Sequence, residues 1–238
     1  MSHKWCIGDI RGDLPLLEKL IDQLSPVPET DFVLFTGSYL GPGPDSKGTI
    51  DYLIEFKKKM GGSVNFLVGC YEHMFQAFLA LCHTDKTAVN TWMAMGGKKV
   101  LESYGKVNGP VRAQIESKVV SIELQYQIPE SHVRFMEQEL FTWYYDHTRP
   151  VSVFHAGPDM ENIQKPDYHK VIFGYDDWWE SSWRIPGVDI VFSHIPFKVP
   201  FRKPGKVGID LGAGWGGKLC AYEFISDSFV VVENAFAR

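Results

Sequence analysis

Apolar and polar positions alternate along the first third of the chain in a repeating order. Trp5-Cys6-Ile7-Gly8 is a short apolar run ending in Asp9. Leu16, Leu17, Leu20, Ile21 and Leu24 then recur at helical spacing, predicting a helix over 14–24 that Pro26 and Pro28 close. Phe32 to Phe35 reads as a buried strand. Ser46 to Met60 reads as a helix, with Ile50, Leu53 and Ile54 on one face and Lys57, Lys58 and Lys59 at the negative end of its dipole. A strand over 64–68 and a helix over 72–82 follow. Strand, helix, strand, helix, strand, helix predicts an α/β layer architecture.

The middle of the chain, about 83–140, reads as mostly helical: 89–95, 97–104, a stretch from Val111, and 129–140, where Pro129 suits a first turn. This predicts a helical cap inserted into one domain spanning 1–238. The last third turns β-rich. Strands are expected at 142–145, 151–154, 171–173, 188–192, 206–210, 219–224 and 229–233, separated by Gly and Pro. A parallel first half followed by antiparallel strands predicts two sheets packed face to face with helices outside.

Composition narrows the class. The 238 residues are 45% hydrophobic and 22% charged, with a formal net charge of -5, as in a soluble globular protein. No basic run supports nucleic-acid binding or a membrane surface, and no run of about 18 apolar residues would span a bilayer. The N-terminal residues show no targeting pattern. Cys6, Cys70, Cys82 and Cys220 are too scattered for a disulfide framework, so a cytoplasmic, reduced setting is expected.

Chemistry should gather at strand ends, because ligands of open α/β sheets bind beyond the carboxyl ends of the strands. Three strands of the first half run into glycine-containing turns: GDIRG (8–12), GSYLGPGPDS (37–46) and GCYEHM (69–74). Two later strands end in histidine, at FHAG (154–157) and SHIP (193–196). In order and spacing these segments resemble the phosphoprotein phosphatase branch of the calcineurin-like metallophosphoesterases, which includes bacterial serine/threonine phosphatases and diadenosine tetraphosphatase-like proteins. That family carries G-D-x-H-G, G-D-x-x-D-R-G-P, G-N-H-E, H-A-G and G-H-T-P. Asp210-Leu211-Gly212 and Gly216-Gly217-Lys218-Leu219 resemble its closing strand pair. The resemblance implies a four-layer sandwich: two mixed β-sheets flanked by helices, with a helical cap.

The departures fall on the metal ligands. The resemblance implies one metal held by the aspartate and histidine of the first motif and a bridging aspartate of the second; here Asp9 remains, while Arg11 and Ser38 replace the other two. It implies a second metal held by that bridge, an asparagine and both late histidines; here Cys70 replaces the asparagine, while His155 and His194 remain. Tyr71 stands at the general-acid position, and Gly41 and Pro42 replace an aspartate and a phosphate-binding arginine. A permanent cation at Arg11 repels a unit positive charge about 4 Å away by roughly 4 kcal/mol at an effective dielectric near 20. Arg11 is therefore expected to stand in for the first metal, to pair with Asp9, and to be a candidate for holding an anion. A two-metal Mn/Fe centre is not expected. Cys70, His155 and His194, with Asp9, are the metal ligands if any metal is kept. One thiolate and two imidazoles suit zinc, and the alternative is that the histidines are merely hydrogen-bonded and Cys70 packed.

Other positions have ordinary structural alternatives. Tyr71 is a poor proton donor at its usual pKa near 10 and can simply fill space. Glu72 can orient neighbours, as in the family, or serve as a helix-start carboxylate. Asp45-Ser46 reads as a helix cap. The aromatic run 175–179 with Trp183 either lines the cleft or packs.

The leading expectation is a catalytically impaired or inactive phosphatase-like protein, a pseudophosphatase acting as a binding or regulatory module. Its partner would be a phosphorylated protein or a nucleotide. The alternatives are a phosphoester hydrolase with a rearranged single-metal site and a structural subunit of a larger assembly.

Overall fold

A computed structural model describes residues 2–81, 90–105, 128–174 and 177–234. Two mixed sheets form its centre. The first has six strands in the order β11-β10-β1-β2-β3-β4: β1 (Lys4–Ile7), β2 (Phe32–Phe35), β3 (Val64–Leu67), β4 (Leu140–Phe141), β10 (Lys218–Glu223) and β11 (Ser228–Glu233). The second has five in the order β5-β6-β7-β9-β8: β5 (Trp143–Asp146), β6 (Val151–Phe154), β7 (Asp189–Phe192), β8 (Phe201–Lys203) and β9 (Lys206–Gly208). β1, β2, β3 and β4 run parallel, as do β6, β7 and β9, so their carboxyl ends face one way within each sheet.

Strand periodicity assigns each face its partner. Alternate residues of a strand point to opposite sides. Cys6, Leu34 and Leu67 therefore meet Val151, Val153, Val191 and Val207 between the sheets. Ile7, Phe35 and Phe66 turn the other way and bury Leu16, Leu17, Leu20, Ile50, Leu53 and Phe56 of helices α1 (Leu14–Leu24) and α2 (Ser46–Met60). Each such fully buried side chain contributes about 2 kcal/mol of transfer free energy. Behind the second sheet, Phe154, Ile190 and Phe192 pack on Val171 and Trp178. The result is helix, sheet, sheet, helix.

Local signals explain the helix ends. Asp45, the expected cap, holds α2 by accepting from the Gly48 N–H at 2.7 Å, and Asp13, which was not singled out, caps α1 by accepting from the Leu16 N–H. Helix α3 (Cys70–Leu81) starts two residues earlier than the apolar pattern indicates, placing Cys70 in its first turn.

Three sequence expectations change. Residues 171–173 belong to a helix, Tyr168–Phe173, and not to a strand. Asp167 caps it through the N–H groups of His169 and Lys170, and this local bonding outweighs the strand preference of Val171-Ile172-Phe173. The helix expected over 129–140 ends at Gln138, and Leu140–Phe141 becomes the edge strand β4 beside β3. Strand β8 was not expected. Of the middle region, the helices Lys98–Tyr104 and Glu130–Gln138 pack on α2, and Trp92, Val100, Leu101, Tyr104, Phe135 and Met136 join the core under the first sheet. The stretch expected from Val111 lies outside the described residues. Among the described residues, no helix is long and apolar enough to cross a membrane.

Candidate metal and anion site at the strand ends

Six strands deliver the site. Asp9 and Arg11 follow β1, Ser38 follows β2, Cys70 follows β3, His155 follows β6, His194 follows β7 and Asp210 follows β9. The loops carrying them are joined by their backbones: the Arg11 and Gly12 N–H groups donate to the Ser38 and Tyr39 carbonyls, both at 2.7 Å. Close approach needs glycine here. A Cβ on Gly69 would stand 2.1 Å from the Ser38 nitrogen, and one on Gly37 would lie 2.7 Å from the Gly69 backbone. Arg11, Ser38 and His194 all adopt positive φ (50°, 53° and 70°), a conformation that costs non-glycine residues on the order of 1 kcal/mol or more and gathers at functional sites.

Glu72 builds the second loop. Its buried carboxylate accepts from the N–H groups of Ser38 (2.8 Å), Tyr39 (2.8 Å), Leu40 (3.0 Å) and Gly69 (3.1 Å). Burial pushes its pKa up to about 7, and the four N–H groups oppose that rise. Of the two sequence alternatives for Glu72, orientation of its neighbours is the one the geometry carries.

Arg11 is buried, and both terminal nitrogens of its guanidinium are engaged, while its Nε has no hydrogen-bond partner. It forms a two-pronged bond with Asp210, Nη1 to Oδ1 at 2.8 Å and Nη2 to Oδ2 at 2.6 Å. Nη2 also lies 2.8 Å from Asp9 Oδ2 and donates to the His194 carbonyl at 3.0 Å. Trp215 roofs the guanidinium, 4.0 Å from ring centre to Cζ. Burial would lower the Arg11 pKa, but Asp9 and Asp210 outweigh it and hold the group charged. The expected Asp9 pairing is present, and Asp210 is added to it. An anion-binding role for Arg11 finds no geometric support, because its charge is taken up by two carboxylates beneath an indole.

Asp210 was missed as a partner. Sequence reasoning placed it only in a closing strand pair. A carboxylate just past a strand of the histidine-bearing sheet, in a chain with an arginine at a ligand position, was the available signal. Burial pushes the Asp210 pKa up and Asp9 adds to this, while Arg11 and the Gly212 N–H pull it down.

Beside this ion pair, Cys70, His155 and His194 each offer one ligand atom, and the three atoms lie within 4.8 Å of one another. His155 Nδ1 donates to the Thr36 carbonyl at 2.8 Å, which leaves Nε2 facing Ser38 Oγ at 3.3 Å. Ser38 Oγ also meets Cys70 Sγ at 3.6 Å. Burial pulls the His155 pKa down to about 4; burial and then His155 do the same for His194. Burial and Asp9 push the Cys70 thiol up to about 12. Asp9 stands apart from the cluster, its Oδ1 3.6 Å from His155 Nδ1.

The remaining expected positions act structurally. The Tyr71 hydroxyl donates to the Met95 carbonyl at 2.6 Å, tying α3 to the turn before Lys98–Tyr104. Gly41 abuts Arg11, and Pro42 abuts Gly96. Trp178 is buried and donates to the Ala156 carbonyl at 2.9 Å, so it packs beneath the His155 loop. Tyr175 and Asp176 lie outside the described residues.

Residues 3–203 match the calcineurin-like phosphoesterase family. The chain belongs to that family. It is 24% identical to serine/threonine-protein phosphatase 1 of Salmonella typhimurium over 221 residues, covering 91% of this chain and 89% of the relative. It is 33% identical to serine/threonine-protein phosphatase 2 of Escherichia coli over 95 residues, or 40% of this chain and 38% of that one. Among solved structures, that of a presumed diadenosine tetraphosphatase superposes with a TM-score of 0.70 at 19% identity, covering 98% of this chain and 94% of the other. That likeness supports the two-sheet phosphoesterase fold.

Proposed function

We propose that this chain has given up two-metal phosphoester hydrolysis and acts as a binding or regulatory module on the phosphoesterase scaffold. The observation that carries the reading is the Arg11 guanidinium between Asp9 and Asp210, within 2.8 Å of each carboxylate. A two-metal centre needs carboxylates free to hold cations and to lower the pKa of a bound water. Here a fixed cation already occupies them, and a dication 4 Å from it would be opposed by about 8 kcal/mol at a dielectric near 20. The residues do not fit the family's pair of metals. Ser38 offers no bridging charge, Tyr71 is committed to Met95, and Gly41 and Pro42 carry no phosphate-binding cation. Loss of a single catalytic donor can cost about 10²–10³ in rate. The partner class follows the scaffold: a phosphorylated protein or a nucleotide.

A second reading, a hydrolase working through one metal, is favoured by the cluster of Cys70, His155 and His194. Turnover of p-nitrophenyl phosphate, a phosphopeptide and a dinucleoside polyphosphate, each with added manganese or zinc, separates the two. The binding-module reading expects only background rates. Metal-dependent turnover abolished by His155→Ala would overturn it.

A further inference from the structure

The last turns of α1 and α2 enclose a cavity that the strand-end site does not use. Both helices run back from the loops at the carboxyl ends of β1 and β2, so their own carboxyl ends lie at the opposite edge of the first sheet. There they flank a hollow of about 340 Å³, within the range of ligand pockets. Its floor is apolar: Ile21, Pro26 and Phe56 line it and are buried. The half-buried Tyr52 forms a wall and stacks on Phe56, with ring centres 6.3 Å apart and planes 12° from parallel.

The rim is charged, and its signs do not balance. Asp22, Glu55 and Lys59 stand exposed around the floor, two carboxylates against one ammonium. Glu55 is paired with Lys58, but both side chains are largely in water, where such pairs hold weakly. Burial pushes the Tyr52 pKa up to about 12, and the charges of Asp22 and Glu18 add to the rise. The negative end of the α1 dipole opens on the same rim, and the last turn of α1 carries no basic residue to offset it.

An apolar floor, an aromatic wall and an excess of carboxylates have the chemistry of an anchor pocket for a cation. Arginine fits it better than lysine. A guanidinium lies flat on a tyrosine ring and reaches a carboxylate with two N–H groups at once. We propose that this cavity docks an arginine side chain of a partner protein, with a neighbouring apolar residue of that partner on Ile21 and Pro26. The occupant is a chain segment, and not a free guanidinium compound, because the apolar surface continues past the cavity: Val27, beside Pro26, is 53% exposed. A free cation leaves that surface in water, whereas a segment covers it. The partner is held at the far edge of the sheet and leaves the strand-end site open, so the proposal stands apart from what that site binds.

Titration of the full-length protein with capped Leu-Arg-Leu, followed by NMR, tests this. We expect saturable shifts at the Ile21 methyls and the Tyr52 ring. Exposed cation–aromatic contacts are worth about a factor of 5 in affinity, so capped Leu-Gln-Leu should bind about 5-fold more weakly. The double variant Asp22→Asn, Glu55→Gln should lower the Leu-Arg-Leu affinity by a similar factor, while Glu180→Gln, behind the second sheet, leaves it unchanged. All three side chains are exposed, so the fold is kept. Added salt gives a check without any variant: it should weaken Leu-Arg-Leu and leave Leu-Gln-Leu unaffected. No saturable shift, equal binding of the two peptides, or a response that survives the double variant overturns the proposal. Capped arginine alone binding as tightly as the tripeptide identifies a small guanidinium ligand and overturns the protein partner. Self-association of the chain that the double variant abolishes identifies a second copy as occupant and does the same.

Discussion

Gly41 and Arg11 fit together only because position 41 lacks a side chain: a Cβ there would stand 2.7 Å from the Arg11 Cβ and 2.8 Å from its Cα. Where the family pattern has an aspartate at this position, the path of Arg11 leaves no room for one. Gly41→Ala should therefore destabilise by about 1–3 kcal/mol, the usual range for overpacking. Urea denaturation of the variant measures it. Arg11→Ala should not relieve the clash, because alanine keeps both offending atoms.

Arg11→Ala has a second expected effect. It leaves Asp9 and Asp210 buried without their cation, and breaking a buried pair in this way costs about 3–5 kcal/mol. The bare carboxylates should then recruit a divalent cation. At a hundredfold excess over its dissociation constant, such an ion restores about 2.7 kcal/mol. Thermal melts with and without calcium or manganese check this. The wild type should show no comparable response to those two ions.

Glu72→Gln tests the loop cradle. The amide offers one acceptor oxygen and turns an NH2 group toward backbone donors that a carboxylate satisfies. Each unsatisfied buried donor costs about 1–3 kcal/mol. Hydrogen exchange should speed up at the amides of Ser38, Tyr39, Leu40 and Gly69, while the amide of Leu34 in β2 keeps its protection.

Away from the site, Asp146 gives a pH signature. Burial would raise its pKa, but bonds from Lys4, Thr148 and Arg149 outweigh burial and hold it well below the carboxylate range. A folded pKa below the unfolded one, about 3.9, means the unfolded chain binds the proton more readily. The contribution is complete above pH 4 and is lost as pH falls toward the folded value. Melting temperatures of wild type and Asp146→Asn should differ by a constant amount at neutral pH and converge in acid.

The fold was readable wherever one period dominated. Helix α2 was expected over 46–60 and strand β2 over 32–35, and both hold to the residue, because caps, apolar spacing and closing glycines agree. Legibility failed at Val171-Ile172-Phe173, where an aspartate cap four residues upstream outweighed a strand-like triplet. Within the site, Arg11, Cys70, His155 and His194 were expected from strand-end position and from the resemblance to the family's motifs, and the structure gathers Cys70, His155 and His194 within 4.8 Å. The Arg11–Asp210 bond was not expected, because it joins residues 199 apart and belongs to tertiary pairing that no local pattern encodes. Trp215 over Arg11 was missed for the same reason.

The four bonds to Glu72 fall on main-chain amides, which every residue except proline supplies. The bonds that hold the loop through 38–40 to Glu72 thus make no demand on the Ser38 side chain. A lineage could exchange the residue at 38 without unmaking the loop. A substitution at 38 can thus change what the site offers a ligand while the loop keeps its course.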